Sequence, residues 1–226
     1  MIYNSIVKGR FISRPNRFIA YAEIDGKEEI CHVKNTGRCR ELLIPEADII
    51  LEISDNPNRK TKFDLISVYK NGRLINIDSQ APNKIAAELL PKLFPDYIIK
   101  PEQKYKNSRF DFYLESANKR AFAEVKGVTL ENENIVMFPD APTERGVKHI
   151  NELIQAAENG FDAYILFIIQ MNQVKYLIPN YETHREFGAL HLAKQKGVKI
   201  LAYDCIVKEN EITAHDPIKV FTENMI

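Results

Sequence analysis

The sequence predicts a mixed α+β protein in two parts, an all-β segment over residues 1–80 and an α/β segment over residues 81–226. Three observations predict this division. The first eighty residues contain only short strand-like runs separated by turn signals. From Ala81 onward, apolar residues recur at helical spacing in several stretches. After the first of these stretches, two aromatic-rich runs have the pattern of a β-hairpin.

The first eighty residues are typical of a small barrel of the OB type. Asp25-Gly26 and Asn71-Gly72 are tight-turn signals between strand-like runs. Five or so short strands in so few residues favour a barrel over an open sheet. The polar segment 32–38 lies between strands, where a structural turn and a ligand-contact loop are both normal. The predicted strands are residues 18–24, 29–33, 48–54, 63–69 and 73–77.

The second part alternates helices and strands, which predicts a mixed sheet flanked by helices. A helix opens at Pro82 and ends before Pro95, and a second runs from the N-cap Thr143 to Gly160. The second helix has an apolar inner face, and its other face is expected to be solvated; that face carries Arg145, Lys148, His149 and Glu152. The remaining predictions are an extended piece over residues 135–138, strands over 163–169, 174–178 and 198–207, and a helix over 181–196.

Asp111, Glu124 and Lys126 fall on the two runs of the predicted hairpin, residues 109–114 and 121–130. A turn near residues 117–118 would place Asp111 roughly opposite Glu124. Because side chains alternate along a strand, Glu124 and Lys126 share a face. Two carboxylates supply the oxygen ligands that Mg²⁺ or Mn²⁺ binds, and a nearby ammonium can orient a water or neutralise a phosphate.

A weak surface ion pair, worth roughly 0–1 kcal/mol, is the alternative explanation of Glu124 and Lys126. The flanking residues favour metal chemistry, since they are unusually apolar and predict a central place in a sheet. Charges on a central strand are costly unless they have partners. These apolar flanking positions are Phe110, Phe112, Leu114, Ala121, Ala123 and Val125.

The composition is that of an ordinary globular protein, with 45% apolar residues, 27% charged residues and no net charge. The N-terminus lacks a signal-peptide core, and the longest apolar run, residues 163–169, is too short to cross a bilayer. We therefore expect a cytoplasmic protein without membrane association. Cys31, Cys39 and Cys205 lack metal-binding spacing, which favours reduced thiols over disulfides or zinc.

A net charge of zero neither predicts nor excludes a nucleic-acid partner, but the basic residues cluster. Such groups with interleaved aromatics could line a phosphate-binding groove, and solvated faces are the alternative. The candidate contacts are Arg14, Arg17, Lys34, Asn35, Arg38 and Arg40 around the loop 35–37, with Arg145 and Lys148 on the helix after Thr143.

Seven strings spread along the chain have a familiar combination: NTGR at 35–38, SRFDF at 108–112, EVKGVTL at 124–130, FPDAPTERG at 138–146, KHINEL at 148–153, PN at 179–180 and GVKILAY at 197–203. Through them the sequence resembles the sugar fermentation stimulation protein family, SfsA. Two positions depart from the pattern. Val33-Lys34 stands in place of Cys-Pro, which adds charge to the loop, and Thr183-His184 stands in place of Asp-Pro.

The resemblance implies an N-terminal OB-like domain and a C-terminal restriction-endonuclease-like domain of the PD-(D/E)xK type. It also implies sequence-nonspecific DNA binding and a regulatory role in sugar (maltose) metabolism. Within the nuclease pattern, Asp111 is the acid of the first strand and Glu124-Val125-Lys126 is the ExK motif. Asp111, Glu124 and the Val125 carbonyl would hold Mg²⁺ or Mn²⁺, and Lys126 would orient the attacking water or stabilise the transition state.

Two functions of different classes are consistent with these residues, a metal-dependent nuclease and a non-catalytic DNA-binding regulator with a vestigial metal site. Glu88, on the first helix, is a candidate further acid, with a surface position as the alternative. A sugar enzyme has little support, since no sugar-type acid pair or nucleophile triad is visible. The sequence leaves open DNA or RNA, strandedness and the oligomeric state.

Overall fold

The computed structural model describes residues 1–35, 37–106 and 108–223, apart from the side chain of Arg185. Its N-terminal domain is a closed five-stranded barrel of the OB type, in which β3 pairs in parallel with β5 to complete the ring. The sixth strand extends the sheet beyond β5. The strands are β1 (Ile6–Ser13), β2 (Ile19–Ile24), β3 (Lys27–Val33), β4 (Asp48–Ile53), β5 (Phe63–Lys70) and β6 (Arg73–Asn76).

Local turn chemistry explains why two of these hairpins could be placed from sequence. Asp25-Gly26 and Asn71-Gly72 have positive φ at both residues, the conformation that two-residue hairpin turns require. Strand β1 carries no such signal and was not among the predicted strands. It pairs with both β2 and β4 and so links the β2–β3 hairpin to the rest of the barrel.

The C-terminal domain is a six-stranded mixed sheet with the order β15-β14-β12-β9-β8-β7, and a smaller sheet is formed by β10, β11 and β13. Its helices are α1 (Ala81–Leu93), α2 (Glu144–Glu158) and α3 (Ala189–Gln195). Its strands are β7 (Ile98–Tyr105), β8 (Ser108–Glu115), β9 (Arg120–Val128), β10 (Leu130–Asn132), β11 (Ile135–Phe138), β12 (Asp162–Ile169), β13 (Tyr176–Pro179), β14 (Lys199–Lys208) and β15 (Glu211–Pro217).

Helices cover both faces of the main sheet, which makes β9 a buried central strand. Ile85 of α1 packs in one core, and Ile150 and Leu153 of α2 pack in the other. Alternate residues of β9 contribute to the two cores, since Phe122 lies on the α2 side and Ala123 on the α1 side. Glu124, two residues after Phe122, points to the same face of the sheet. Apolar packing on both faces of the sheet therefore fixes the position of the hairpin.

Three sequence-based predictions for this domain were wrong. Strands β7 and β15 were missed, because they lie at the sheet edges and their many exposed residues give no regular apolar alternation. Residues 174–178 were expected as a strand of the one mixed sheet, but β13 pairs with β11 in the small sheet. The helix predicted over residues 181–196 begins later, with a 3₁₀ turn at Arg185–Gly188 leading into α3.

The two domains share packing and polar contacts. Gln170, at the end of β12, donates its side-chain amide to Asn76 Oδ1 at 2.8 Å and to the Asp78 carbonyl at 3.0 Å. The first residues of the chain pair with the C-terminal domain, since Tyr3 donates its backbone N–H to the Asn210 carbonyl. Experiments on this protein should therefore use the full chain. In the described part, no helix has the length and apolarity to cross a membrane.

Candidate active site

The predicted hairpin places Asp111 and Glu124 side by side on neighbouring central strands. The register of β8 and β9 pairs Phe112 with Ala123, so Asp111 and Glu124 are the next two positions of the ladder. One oxygen of Asp111, Oδ2, accepts a hydrogen bond from the backbone N–H of Val125 at 2.8 Å. The acid of the first strand is thereby fixed to the backbone of the ExK segment.

Glu124 is almost completely buried, with 2% of its surface exposed. Its Oε1 atom accepts hydrogen bonds from Lys126 Nζ at 2.6 Å and from His149 Nδ1. Burial by itself would raise the pKa of Glu124, but the hydrogen bonds from His149 and Lys126 outweigh it and lower the pKa. Glu124 is therefore ionised at neutral pH. Its second oxygen, Oε2, is buried and has no hydrogen-bond partner among the described residues.

The pKa of Asp111 is shifted in the opposite direction. Burial raises it, and the nearby charge of Glu124 raises it further, while the bonds from Val125 and Asn83 act against the shift. Asn83, in the first turn of α1, donates its side-chain amide to Asp111 Oδ1 at 2.9 Å. A raised pKa means that the negative charge of Asp111 lacks full compensation by its protein neighbours. A cation bound at this position would supply the missing positive charge.

His149 is a site residue that sequence reasoning missed. It was assigned to a solvated face of α2, but it is buried and contacts Glu124 across 25 positions of sequence. Arg145, one turn earlier on α2, donates from Nε to His149 Nε2 at 3.5 Å. An arginine can only donate, so Nε2 accepts and the imidazole proton lies on Nδ1, facing Glu124. A histidine spaced four residues from an arginine, next to the apolar Ile150, was the available signal.

The other predicted members of this site are arranged differently. The structure does not bring Glu88 to the carboxylates, because Glu88 is exposed and pairs with the N-terminal ammonium of Met1 at 3.1 Å. Lys148 is also exposed and lies 3.9 Å from Glu152. Glu152 was expected on the solvated face but is largely buried, and its Oε2 atom has no partner within the described ranges.

Two of the proposed nucleic-acid contacts, Arg14 and Asn35, stabilise the loop that follows β3. Arg14 donates to the backbone carbonyls of Arg17, Asn35, Gly37 and Arg38. The side chain of Asn35 bonds to the Ile77 carbonyl and to the Gly37 N–H. These groups hold the loop in place and have few donors left for a ligand. Thr36, the remaining member of that loop, lies outside the described residues.

Lys34 is neutralised inside the protein. Its ammonium lies 2.9 Å from Glu52 and 3.1 Å from Asp64, and only 17% of its side chain is exposed. The lysine that departs from the SfsA-like pattern therefore adds no free charge to the loop surface. Its long-range partners could not be identified from sequence.

Arg17, Arg38 and Arg40 remain available to a ligand. All three are exposed, and none forms an ion pair with a described residue. They line a cleft of about 1040 Å³ between the barrel and the segment before α2. The cleft is not lined by Asp111, Glu124 or Lys126, so the cleft and the carboxylate site are separate features.

The donor set fits a hard divalent cation only in part. Asp111 and Glu124 offer carboxylate oxygens of the kind that Mg²⁺ prefers, and the Oε2 atom of Glu124 is buried and unbonded. No three His, Cys, Asp or Glu side chains cluster as a ready-made metal site in the described part of the chain. Mg²⁺ commonly keeps several waters and uses one or two carboxylates, so two acids are sufficient protein ligands.

Two family models match consecutive parts of the chain. The model of the SfsA N-terminal OB domain matches residues 12–77, and that of the sugar fermentation stimulation protein RE domain matches residues 80–211. The chain belongs to the SfsA family. The sugar fermentation stimulation protein homolog of Clostridium beijerinckii is 60% identical over 97% of this chain and 99% of its own. The homolog of Desulfitobacterium hafniense strain Y51 is 59% identical over 97% and 98%.

A solved SfsA structure has the same fold over both domains. It is that of Pyrococcus furiosus SfsA in complex with Ca²⁺, with a TM-score of 0.86, 29% identity and 98% coverage of each chain. The predicted family membership and the predicted OB barrel followed by an α/β domain are thereby confirmed for this SfsA chain.

Thr183-His184, the second departure from the SfsA pattern, lies at a turn that precedes α3. Asn180 donates its side-chain amide to Thr183 Oγ1 at 2.8 Å and accepts from the Thr183 N–H at 3.2 Å. These reciprocal bonds close a turn over residues 180–183 and satisfy donors locally. Helical pairing begins only after His184.

Proposed function

We propose that this SfsA protein binds DNA without sequence preference and hydrolyses phosphodiester bonds at Asp111, Glu124 and Lys126 with a bound Mg²⁺ or Mn²⁺. The observation that carries the proposal is the buried Glu124 Oε2 atom, which has no partner in the described chain. A buried acid with a purely structural role normally has both oxygens hydrogen-bonded, because an unsatisfied charged group costs free energy.

Asp111 and Glu124 are the residues that would hold the metal. The raised pKa of Asp111, caused by burial and by Glu124, fits a position where a cation completes the charge balance. A relative solved in complex with Ca²⁺ supports a site for hard, oxygen-seeking cations. When bound, such a metal neutralises phosphate charge and lowers the pKa of a water.

Lys126 and His149 have distinct tasks in this proposal. Lys126 pairs with Glu124 alone among the described residues, whereas Lys34 is shared by Glu52 and Asp64, so in this proposal the Lys126 ammonium turns from Glu124 to a phosphate oxygen or a water. His149 is held by Arg145 and donates to Glu124, which fixes the carboxylate orientation and leaves Oε2 free. Lys126 is therefore the catalytic residue and His149 the positioning residue.

DNA binding draws on exposed arginines that form no ion pair with a described residue. Arg17, Arg38 and Arg40 project from the barrel, and Arg145 is exposed at the start of α2 beside His149. Contacts of this kind neutralise backbone phosphates and give affinity without reading base sequence. A protein with no net charge needs such local concentration of basic groups to attract DNA.

One observation favours a second candidate, a DNA-binding regulator of sugar metabolism that does not cleave. Lys126 and His149 both donate to the same Glu124 oxygen, so the trio already forms a hydrogen-bonded ion pair without a metal. The name of the relatives, sugar fermentation stimulation protein homolog, points to a physiological effect on sugar use.

A cleavage assay separates the two candidates. End-labelled single- and double-stranded DNA, and RNA, are incubated with the full chain and Mg²⁺ or Mn²⁺. We expect metal-dependent cleavage by the wild type and none by Glu124→Gln. The matched control is Glu115→Gln, in the same hairpin, where the glutamate forms a half-exposed pair with Lys100. Stable, intact substrates with every metal would leave only the regulator.

A salt titration tests the binding surface. Affinity for duplex DNA should fall with salt with a log–log slope of about −0.9 per phosphate contacted. Arg38→Ala should weaken all sequences alike and flatten the slope by about one unit. Lys104→Ala removes the same charge from the exposed strand β7 and should change neither quantity. Equal slopes for both variants would remove Arg38 from the interface.

A further inference from the structure

The side chain of Asn83 lies against the oxygen of Asp111 that is available to a metal. The two oxygens of Asp111 differ, because Oδ2 accepts from the backbone N–H of Val125 and is thereby tied to β9. Oδ1 has no bond to the strand backbone. Its partner among the described residues is the side-chain amide of Asn83, whose Nδ2 atom lies 2.9 Å away. A cation on Asp111 Oδ1 is therefore bound next to Asn83.

The backbone of Asn83 is fixed, whereas its side chain is free to turn. Asn83 is the third residue of α1, and Pro82 and Ile85 on either side are buried. The helix start is tied to the linker before it, since Ala81 donates its N–H to the Asp78 carbonyl at 3.1 Å. Asn83 itself is exposed. Because the terminal torsion of an asparagine has a broad range, the amide can rotate without moving the helix.

A half-turn of this amide exchanges its nitrogen and its oxygen, so that an acceptor replaces a donor at the same place. The Asn83 carbonyl oxygen then lies at the position from which Nδ2 now contacts Asp111 Oδ1 at 2.9 Å. Neighbouring oxygens of an octahedral Mg²⁺, with bonds of about 2.0–2.1 Å, are about 2.8–3.0 Å apart. The spacing of the hydrogen bond therefore also suits two ligands of one cation.

A neutral ligand matches the charge of this site. Asp111 and Glu124 already place two carboxylates side by side, and a third would add repulsion in the metal-free protein. An asparagine carbonyl oxygen is an ordinary ligand of hard cations and adds no charge. No three His, Cys, Asp or Glu side chains of the described residues converge as a metal site, so a third side-chain ligand has to be of another kind.

We infer that Asn83 is a metal ligand of this site, and that its side-chain amide turns when Mg²⁺ or Mn²⁺ binds and supplies its oxygen beside Asp111 and Glu124. This inference rests on the proposed function, because it names a further ligand of the same metal. In the metal-free protein the amide donates to Asp111 and holds that carboxylate in place. Asn83 thus has a partner in each state.

Mn²⁺ binding to the full chain without DNA tests this assignment, with free Mn²⁺ measured by electron paramagnetic resonance. Asn83→Ala removes both the donor and the oxygen and should weaken binding about tenfold or more. Asn83→Asp keeps an oxygen but, when ionised, cannot donate to Asp111, so it should bind Mn²⁺ at least as tightly as the wild type. A residue that acted only by donating to Asp111 would instead give two equally weak variants.

A carboxylate placed one turn further along α1 provides the matched control for added charge. Ala87 is exposed at that position, so Ala87→Asp adds the charge of Asn83→Asp without placing an oxygen beside Asp111. Introduced into Asn83→Ala, it should leave Mn²⁺ binding weak.

Thermal unfolding is the second measurement and verifies that each variant is folded. Without metal, Asn83→Asp should unfold at a lower temperature than the wild type, because three carboxylates repel one another. Saturating Mn²⁺ should raise the Tm of Asn83→Asp by more than it raises that of the wild type.

The outcomes distinguish the inference from the proposed function. Weak binding in Asn83→Ala that is restored in Asn83→Asp, but not by Ala87→Asp, supports the inference. Equally weak binding in Asn83→Ala and Asn83→Asp, wild-type binding in Asn83→Ala, or recovery through Ala87→Asp overturns it and leaves metal binding by Asp111 and Glu124 intact. No Mn²⁺ bound by the wild type at millimolar metal overturns both this inference and the proposed metal-dependent function.

Discussion

Two acids of this protein are buried to the same extent but differ in how many of their carboxylate oxygens have hydrogen-bond partners. Asp64 in the barrel and Glu124 in the C-terminal sheet each have 2% of their surface exposed. Both oxygens of Asp64 are occupied, by Arg59 at 2.8 and 2.6 Å, by His32 at 3.1 Å and by Lys34 at 3.1 Å. Glu124 has all its partners on Oε1.

The difference between them is that the charge of Asp64 is fully paired within the fold and that of Glu124 is not. Burial would raise the pKa of Asp64, but bonds from Arg59 and Lys34 outweigh it and lower the pKa to about 2. Asp64 is saturated and has no capacity for another ligand. Glu124 keeps one buried oxygen free beside Asp111, whose pKa is raised. Unused bonding capacity next to a second carboxylate, and not burial alone, distinguishes Glu124 from Asp64.

The largest expected effect is on stability at Asp64. Asp64→Asn leaves Arg59 and Lys34 without their shared counter-charge and should lower the free energy of unfolding by about 3 kcal/mol, the lower end for breaking a buried pair. The corresponding Glu124→Gln change removes the counter-charge of one lysine and no longer leaves a charged buried oxygen unpaired, so it should cost less than about 1 kcal/mol. Urea unfolding of both variants at pH 7 without metal measures the difference. Equal losses would contradict the comparison.

Lys126 should have the next largest effect, on the rate of cleavage. If its ammonium acts on the water or the transition state, Lys126→Met should lower the rate about 10²-fold and leave DNA affinity unchanged. If Lys126 only pairs with Glu124, the same change should have little effect. Single-turnover cleavage with saturating metal distinguishes these results. Metal-independent background hydrolysis that is equal in both proteins would favour the regulator.

Metal binding should stabilise the protein through Glu124 and Asp111. A hundredfold excess of Mg²⁺ or Mn²⁺ over its Kd should add about 2.7 kcal/mol to the free energy of unfolding. Asp111→Asn should abolish this gain, whereas Asp96→Asn, at an exposed position after α1, should keep it. Thermal unfolding with and without metal measures the gain. A wild-type calorimetric titration with no heat at millimolar metal would remove the premise.

The smallest effect is the acid dependence of stability from Asp64. Its folded pKa of about 2 lies below the usual 3.8, so the unfolded chain binds this proton first as pH falls. The contribution, roughly 2 kcal/mol, is present above about pH 4 and is lost as pH falls through about 2. Unfolding free energies of the wild type and Asp64→Asn over this range should converge toward low pH. Parallel curves would show that Asp64 is not the group responsible.

Short-range patterns predicted most of the strands, two hairpin turns and the acid pair. Asp25-Gly26 and Asn71-Gly72 form the predicted turns, because few residues adopt positive φ as easily as these. The pairing of Asp111 with Glu124 was predictable because a tight turn near residues 117–118 fixes the register of everything behind it. The site residues on that hairpin needed no knowledge of the rest of the chain.

Edge strands and distant partners could not be predicted in the same way. β15 presents mostly exposed or half-exposed residues, so its membership of the sheet is decided by backbone pairing with β14. Helix α2 was placed correctly from its N-cap Thr143, which accepts from the Gly146 N–H, but its rotation was not. That rotation buries His149, which sequence reasoning assigned to solvent.

What the sequence determined by itself was therefore the local framework, namely the hairpin, its register and the acids it carries. What only the tertiary structure decided was which charges are used internally and which are free. Lys34 and Arg14 looked like ligand contacts and are occupied by Asp64 and by loop carbonyls, whereas Glu124 retains an open oxygen. The physical reason is that hydrogen-bonding capacity is shared among groups far apart in the chain, and folding alone brings them within reach.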